Sequence, residues 1–276
     1  MALVNVAYNA ALTWANPSLQ TIEEQLLVPL FAEHPVELGL TGREEEVLNR
    51  LRAEPRYHLL FSEAFPDQLD PFSTQSVVAA LASYVRALIS ADSPFDRFTY
   101  RQEAALSQEA LRGMELFYSE RLECHHCHGG FNFSSSTSHS ALESDQGPHF
   151  HNTGLYNLDE DGAYPKLNQG LYAITGEPSD MGRFRAPTLR NIELTAPYMH
   201  DGSIETLEEV IRHYEAGGRT IEGGDYAGQG ELNPYKSAFV TGFQLSDRAR
   251  MDLIAFLKSL TDESFVTDPQ LSDPWE

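Results

Sequence analysis

Two cysteines and a histidine stand close together in the run Cys124-His125-His126-Cys127-His128. This C-x-x-C-H spacing is the attachment motif for haem c: the two thiols form thioethers with the vinyl groups, and the following imidazole binds the iron. The chain of 276 residues contains 2 cysteines, and the motif uses both of them. The sequence therefore predicts one covalently bound haem c, held by Cys124, Cys127 and His128.

Other uses of the cysteine pair fit the sequence less well. A structural zinc site needs four ligands, usually from paired motifs, and the sequence has no second pair of this kind. A thioredoxin-like dithiol stands at a strand-to-helix turn, whereas the residues before Cys124 have a helical pattern. A single disulfide within this motif could not stabilise a chain of this length.

Charge and hydropathy restrict the partners and the location of the protein. The net charge of −22 argues against nucleic acid or an anionic membrane as partner, and is compatible with a cationic or polar protein. No segment approaches the ~18 continuous apolar residues of a membrane span, and the N-terminus lacks the features of a signal peptide. Haem attachment to C-x-x-C-H takes place outside the cytoplasmic membrane in bacteria. We therefore expect a periplasmic protein whose sequence here begins after its leader.

Helical patterns dominate the N-terminal part of the chain. Thr21 begins a capping-box pattern, and Pro29 is expected to end or kink the helix that follows. A second helix is predicted over residues 41–52 with Thr41 as its cap, and a third over residues 73–89. The apolar stripe of this third helix is predicted to face the core, and it comprises Val77, Leu81, Val85 and Leu88.

The C-terminal part combines helices with one long irregular segment. A helix is predicted over residues 106–117, directly before the haem motif. Residues 129–183 are rich in Gly, Ser, Asn and Asp, which favours a long loop, and helical patterns return over residues 203–214 and 246–260. This is the layout of a class I cytochrome c domain, in which the terminal helices cross and a loop covers the haem edge. We predict such a domain over residues 104–260.

The second axial ligand of the iron is not determined by spacing. A thioether ligand would raise the reduction potential and suit an electron carrier, whereas a phenolate would lower it. The candidates after the motif are Met181, Met199, His200, His213 and Tyr214.

Several segments of the chain resemble one protein family. Residues 182–191 read GRFRAPTLRN and residues 194–202 read LTAPYMHDG, which is similar to the signature of bacterial di-haem cytochrome c peroxidases and the related MauG enzymes. Upstream, NVAYNAALTW at 5–14, PVELG at 35–39 and SPFDR at 93–97 resemble further elements of the same family. The resemblance covers nearly the whole chain, and the motifs are specific because they occur in combination.

The resemblance implies a mainly α fold with two cytochrome c-like parts. Residues 104–276 correspond to the C-terminal domain with covalent haem, and residues 1–103 to the remainder of the N-terminal, peroxidatic domain. The family carries a first C-x-x-C-H motif in a segment preceding the one where this sequence begins. We therefore expect either a truncated di-haem protein, with a second haem in the complete family member, or a mono-haem protein.

The resemblance also implies an iron ligand and a calcium site. The peroxidases have a methionine ligand at the position of Tyr214, whereas MauG-type enzymes have tyrosine, so Tyr214 is the implied ligand of the haem iron. The alternative is that Tyr214 only packs in its helix. Thr195 and Pro197 match positions whose backbone carbonyl groups help to hold a calcium ion.

Three further residues have roles in the family that match their positions here. Glu37 is the implied acid/base that moves the peroxide proton, with Gln25 as its polar neighbour. Trp14 is the implied residue between the two haems, where it passes oxidising equivalents. The alternative for Glu37 and Gln25 is an ordinary solvated position, and for His200 a position in the core.

These features support one functional hypothesis and two alternatives. The first is an oxidoreductase of the di-haem peroxidase class, closest to the MauG-like branch associated with methanobactin, which uses hydrogen peroxide to oxidise a protein donor or substrate. Its activity is expected to be impaired in the chain as given, and a homodimer is possible in this family. The alternatives are a mono-haem electron-transfer protein without peroxidase activity, and a calcium- or partner-binding module without redox function.

Overall fold

The chain is mainly helical and forms two compact units. The computed structural model describes residues 2–138 and 149–274. The small unit is Ser18–Leu88, and the large unit combines Met1–Pro17 with Ile89–Glu276. The predicted boundary after residue 103 lies inside the large unit, and the division into two cytochrome c-like domains at that point remains a prediction. Part of the predicted long loop, residues 139–148, lies outside the described residues.

Four helices form the small unit. Thr21 caps the first helix through a capping box, as predicted, and Ser73 caps the fourth. The first helix continues two residues beyond Pro29 to Phe31. The third helix, which starts at Pro55, was not expected from the sequence. The helices are α1 (Ile22–Phe31), α2 (Glu44–Ala53), α3 (Pro55–Ala64) and α4 (Thr74–Ala87).

Two details predicted for the small unit are wrong. Thr41 does not cap α2, which begins at Glu44; instead its hydroxyl donates a hydrogen bond to the carbonyl of Phe31 at 3.1 Å. Leu81 does not face the core of the small unit, since it is 40% exposed. The buried residues of α4 are Ser76, Val78, Ala82 and Val85. Of the predicted stripe, Val85 and the following Leu88 are therefore buried, whereas Val77 is half-buried.

The large unit contains the remaining helices. The predicted helices before the haem motif and at the C-terminus are present, capped by Ser107 and Ser246. The predicted helix over residues 203–214 begins later, after the cap Thr206. The helices are α5 (Pro94–Arg101), α6 (Gln108–Phe117), α7 (Cys124–Cys127), α8 (Tyr172–Thr175), α9 (Leu207–Glu215), α10 (Asp247–Lys258) and α11 (Glu263–Val266).

The named strands are short, with 2 residues each. The strand β1 (Phe150–His151) pairs antiparallel with β2 (Phe184–Arg185), and β3 (Thr220–Ile221) pairs antiparallel with β4 (Gly228–Gln229). The first pair joins the segment after residue 148 to the family-like segment 182–191. No helix among residues 2–138 and 149–274 is long and apolar enough to cross a membrane.

The helices α6 and α10 cross at very short range, as the cytochrome c layout predicts. A Cβ atom built on Gly113 would lie 2.0 Å from the carbonyl oxygen of Asp252 and 2.8 Å from Cβ of Phe256. Only glycine therefore allows this approach. Beside the crossing, Arg112 donates two hydrogen bonds of 2.7 Å to the carboxylate of Asp252. The two helices frame one side of the core that surrounds the haem motif.

Candidate haem site

The short helix α7 carries both cysteines of the C-x-x-C-H motif. Cys124 and Cys127 are its first and last residues, and a spacing of three places both side chains on one face of the turn. Both thiols are free, and both line the same apolar cavity. Burial raises the pKa of Cys124 to about 12 and the pKa of Cys127 to about 11, so both groups are thiols at neutral pH.

The cavity lies within the large unit, between α6, α9 and α10 and the loops that join them. Its empty volume is about 1340 Å³, part of which is open to solvent. Side chains with apolar surfaces dominate its wall, which suits a flat hydrophobic cofactor. These side chains include Phe117, Leu122, Leu155, Leu207, Ile211 and Leu253.

The ring of His128 is held by two carbonyl groups and lines the same cavity. Its Nδ1 lies 3.2 Å from the carbonyl oxygens of both Phe133 and Pro187. Because both neighbours are acceptors, Nδ1 carries the proton, and the lone pair of Nε2 is available to a metal. Burial lowers the pKa of His128 more than the two carbonyl groups raise it, so the imidazole is neutral. A neutral imidazole with this tautomer is the form that ligates haem iron.

Tyr214 reaches the cavity from the last turn of α9. The helix begins at a capping box formed by Thr206 and Glu209. Burial raises the pKa of Tyr214, and the neighbouring Cys127 and Cys124 add to this rise. No hydrogen bond to the Tyr214 hydroxyl is found among the described residues, which leaves this group available to a ligand in the cavity.

The structure narrows the set of candidate second ligands. Met199, His200 and Tyr214 line the cavity, whereas Met181 and His213 do not. The ring of His200 is stacked against Phe184, with a centroid separation of 3.7 Å and an interplanar angle of 13°. Ligation by Tyr214 itself stays a prediction.

An aromatic group at the cavity wall includes Trp14. Its indole ring meets the ring of His200 edge to face, with the centroids 6.5 Å apart. Arg185 fixes the segment that carries Trp14, since its backbone N–H donates to the Trp14 carbonyl at 2.7 Å and its Nε to the Thr13 carbonyl at 3.0 Å. No role for Arg185 was predicted from the sequence. The one sequence feature that could have indicated a role is the position of Arg185 within the family-like segment 182–191.

These observations fit haem c. Two thiols on one face of a helical turn, an imidazole with its metal-binding nitrogen deprotonated, and a phenol meet in one apolar cavity. The cavity residues Cys124, Cys127 and His128 would hold the haem, and the buried phenol of Tyr214 is a candidate for the other side of the iron.

Comparison with known proteins shows the family of the chain. The methylamine utilization protein MauG of Methylorubrum extorquens is 32% identical over 270 residues, which cover 98% of this chain and 66% of that protein. Cytochrome-c peroxidase IdrP1 of Denitromonas iodatirespirans is 33% identical, covering 99% of this chain and 72% of that protein. The sequence model of the family described as di-haem cytochrome c peroxidase matches residues 1–105. The chain belongs to the di-haem cytochrome c peroxidase family.

A solved structure extends this likeness to the whole fold. The crystal structure of a MauG-like protein associated with microbial copper homeostasis aligns with a TM-score of 0.95 and 44% identity, covering 100% of this chain and 78% of that one. The present chain spans 66% of the length of MauG from Methylorubrum extorquens and 66% of that from Methylophilus methylotrophus. Its named relatives are peroxidases and MauG proteins, so the family is one of peroxidase-type oxidoreductases.

The remaining residues predicted from the di-haem cytochrome c peroxidase family are not among the residues that line this cavity. Glu37 and Gln25 belong to the small unit, where Glu37 is exposed and Gln25 is half-buried on α1. The side-chain oxygen Oε1 of Gln25 is buried and has no hydrogen-bond partner among the described residues. Thr195 and Pro197 are exposed in the large unit. Their predicted roles in peroxide chemistry and calcium binding stay predictions.

Proposed function

We propose that the chain is the haem c-bearing part of an enzyme that uses hydrogen peroxide to oxidise a protein partner by long-range electron transfer. The observation that carries this proposal is the cavity in which Cys124, Cys127, His128 and Tyr214 come together. Reduction of one peroxide molecule to two water molecules takes two electrons and two protons, and the partner protein supplies the electrons. When bound, haem supplies an iron centre that exchanges single electrons.

The residues of the chain have separate tasks in this proposal. Cys124 and Cys127 fix the porphyrin covalently, while the carbonyl groups of Phe133 and Pro187 hold the His128 ring and its Nδ1 proton in place. The phenol of Tyr214 would be a further ligand of the haem iron. The apolar wall excludes water from this region and so strengthens the electrostatic interactions within it.

The peroxide side of the proposal depends on the small unit. Glu37 would move a proton of the peroxide, and the unpartnered Oε1 of Gln25 would accept a hydrogen bond from the peroxide. The sequence carries one C-x-x-C-H motif, whereas the family is di-haem. We therefore propose that a second haem serves these two residues.

A chain of aromatic rings offers a route from the cavity to the surface. Trp14 and His200 line the cavity, and Tyr164, Tyr156 and Tyr226 follow at centroid separations of 6.5, 5.4 and 5.8 Å, counted from His200. The last ring, Tyr226, is 51% exposed. Closely spaced aromatic rings can pass electrons in short steps, so the partner protein is proposed to dock at Tyr226.

Tyr156 in the middle of this route has a proton acceptor. Its hydroxyl donates a hydrogen bond of 2.6 Å to Oδ2 of Asp201. Burial acts to raise the pKa of Asp201, but hydrogen bonds from Tyr156 and Ser203 outweigh it and lower the pKa, so the group is a carboxylate. A phenol that is oxidised can therefore transfer its proton to Asp201 and recover it on reduction.

The route is tested by trapping oxidised residues without the partner. The haem-loaded protein is treated with hydrogen peroxide and the spin trap DMPO, and adducts are located by mass spectrometry. An adduct on Tyr226 is expected, and Tyr156→Phe should remove it, whereas Tyr100→Phe, which changes another exposed tyrosine, should leave it unchanged. Equal labelling of Tyr226 in Tyr156→Phe and in the unchanged protein would refute the route.

The haem assignment is tested by spectroscopy after maturation in a periplasm. Changing Cys124 and Cys127 to Ala should abolish covalent haem, measured as mass and as pyridine haemochrome. Tyr214→Met should raise the reduction potential and add the absorption of thioether-bound iron, and Tyr172→Met, outside the cavity, is the control. An unchanged spectrum in Tyr214→Met would exclude Tyr214 as ligand.

The alternative function is a mono-haem electron-transfer protein without peroxidase activity, which the single C-x-x-C-H motif favours. It predicts one haem per chain, a low potential and no consumption of peroxide, and the same samples distinguish the two proposals. Periplasmic location, calcium binding at Thr195 and Pro197, and a homodimer remain part of the proposal for the complete enzyme.

A further inference from the structure

The two residues between the cysteines of the haem motif form a cluster with two glutamates. His125 and His126 lie on α7, Glu123 immediately precedes that helix, and Glu120 lies in the turn before it. We call Glu120, Glu123, His125 and His126 the His-Glu cluster. One ligand atom from each of Glu120, His125 and His126 lies within 4.8 Å of the others.

The distances in the His-Glu cluster match those between the ligands of one metal ion. Tetrahedral ligands at the usual 2.0–2.2 Å from zinc are roughly 3.3–3.6 Å apart. The Nε2 atom of His126 lies 3.3 Å from Oε2 of Glu120, and Nε2 of His125 lies 3.5 Å from Oε1 of the same carboxylate. Oε2 of Glu123 lies 2.7 Å from Nε2 of His126, so a small rotation of this side chain would complete a four-ligand set.

The imidazole rings of the cluster are already oriented by their neighbours. The ring of His126 stacks on Phe239 at a centroid separation of 4.4 Å and an angle of 11°. The ring of His125 packs against the ring of His126 at 4.2 Å and against Tyr118 at 6.2 Å. Ligands that are fixed in this way lose little conformational entropy on metal binding.

One carboxylate oxygen of the cluster, Oε2 of Glu123, lacks a well-directed hydrogen bond among the described residues. This oxygen is buried, and it contacts Nε2 of His126. A buried carboxylate oxygen without a well-directed hydrogen bond is unfavourable, and a cation between Glu123, His126 and Glu120 would stabilise this oxygen. The net charge of −22 also raises the local concentration of cations around the chain.

The His-Glu cluster lies beside the haem cavity and shares Glu123 with it. Glu123 touches the cavity wall, but His125, His126 and Glu120 are not among its lining residues. Glu120 is exposed, with 78% of its side chain accessible, so a metal ion can enter from solvent on that side.

We propose that the His-Glu cluster binds one divalent transition-metal ion of the class that prefers imidazole and carboxylate ligands, such as Zn²⁺ or Cu²⁺. His126, Glu120 and Glu123 are the stronger ligands. His125 is the weaker one, because its Nδ1 is buried without a hydrogen-bond partner among the described residues and a metal on Nε2 leaves that nitrogen protonated.

The test is a calorimetric titration of the haem-loaded protein with Zn²⁺ after removal of metals by EDTA. One equivalent is expected to bind, and His126→Gln and Glu120→Gln should each weaken binding at least ~10-fold. His58→Gln and Glu115→Gln, which remove an exposed histidine and glutamate outside the cluster, should leave it unchanged. Since Glu120 is exposed, Glu120→Gln is expected to keep the fold, which haem content and circular dichroism will verify.

A second titration with Cu²⁺ reports on the ligands directly. Electron paramagnetic resonance should show nitrogen couplings from two imidazoles, and one of them should disappear in His126→Gln. The proposal is overturned if neither metal binds, or if the metal affinity of the His126→Gln and Glu120→Gln variants equals that of the unchanged protein.

Discussion

The two units of the molecule contain ion pairs with nearly the same geometry in opposite environments. In the large unit, Arg190 donates hydrogen bonds of 2.7 and 2.8 Å to the two oxygens of Asp96, and the side chains are 2% and 3% exposed. In the small unit, Arg86 donates two bonds of 2.7 Å to Glu23, and the side chains are 45% and 40% exposed. Since the bidentate geometry is matched, the two pairs differ in burial and in the further hydrogen bonds that the buried pair makes.

The buried pair is also part of a larger network. Asp96 accepts hydrogen bonds from the N–H and the hydroxyl of Ser93 at 3.0 and 2.7 Å, and Arg190 donates to the carbonyl of Phe131 at 2.9 Å. The network thus ties α5 to the family-like segment 182–191 and to the loop that follows His128. The exposed pair joins only α1 to α4. The buried pair is therefore connected to the haem site through the hydrogen bond from Arg190 to the loop that follows His128.

The largest effect is expected from Asp96→Asn. The variant leaves the guanidinium of Arg190 buried without a counter-charge, and breaking a buried pair in this way typically costs about 3–5 kcal/mol. Urea unfolding at pH 7, followed by circular dichroism, should show a loss of this size. Glu23→Gln removes a carboxylate of the same geometry and is the matched control. A loss below about 1 kcal/mol in Asp96→Asn would contradict the view that burial decides the contribution of the pair.

The same carboxylate predicts how stability depends on pH. Burial acts to raise the pKa of Asp96, but the hydrogen bonds and charge of Arg190, together with Ser93, outweigh it and hold the pKa below the ordinary 3.8. A lowered pKa in the folded state stabilises the fold above the unfolded pKa, and this contribution is lost as the pH falls through the folded pKa.

The difference in unfolding free energy between the unchanged protein and Asp96→Asn should therefore be constant from pH 7 to about 5 and should shrink below about 4. Urea unfolding at a series of pH values measures it. A difference that stays constant down to pH 2 would show that the Asp96 carboxyl is not stabilised by ionisation in the fold.

Local signals in the sequence predicted the parts of the fold that neighbouring residues determine. Thr21 caps its helix as predicted, the helices predicted over residues 73–89, 106–117 and 246–260 are present, and the C-x-x-C-H motif places both thiols on one face of α7. The cap predicted at Thr41 is the exception. In each case the interacting atoms lie within one helical turn. Spacing along the chain is then a direct measure of distance in space.

Interactions between distant segments could not be predicted in this way. Asp96 and Arg190 are 94 residues apart, and the backbone bond from Arg185 to Trp14 joins segments that only the family resemblance singled out. The choice between Val77 and Val78 as the buried side of α4 depends on what packs against the helix. A sequence pattern gives the stripe but not its partner, so this detail was wrong.

A smaller effect is expected at the crossing of α6 and α10. In Gly113→Ala the new Cβ would approach the Asp252 carbonyl oxygen to 2.0 Å, so the helices must separate. Overpacking of this kind typically costs about 1–3 kcal/mol, which exceeds the gain of about 1 kcal/mol from the higher helix propensity of Ala. Urea unfolding measures the net change. Gly223→Ala, with nothing within 4 Å of its Cβ, is the control, and an equal stability of the two variants would exclude close packing at Gly113.

The smallest effect is expected from Glu23→Gln in the small unit. The pKa of Glu23 is lowered chiefly by the hydrogen bonds of Arg86, but both side chains are largely exposed, so water and salt screen their attraction. Exposed pairs contribute about 0.2–1 kcal/mol, and long side chains lose rotamer freedom when they are held in one geometry. Unfolding of Glu23→Gln and of the unchanged protein should differ by this amount at low salt and by less at 1 M NaCl. A difference that is as large as that of Asp96→Asn, or that is insensitive to salt, would mean that bidentate geometry rather than burial sets the strength of both pairs.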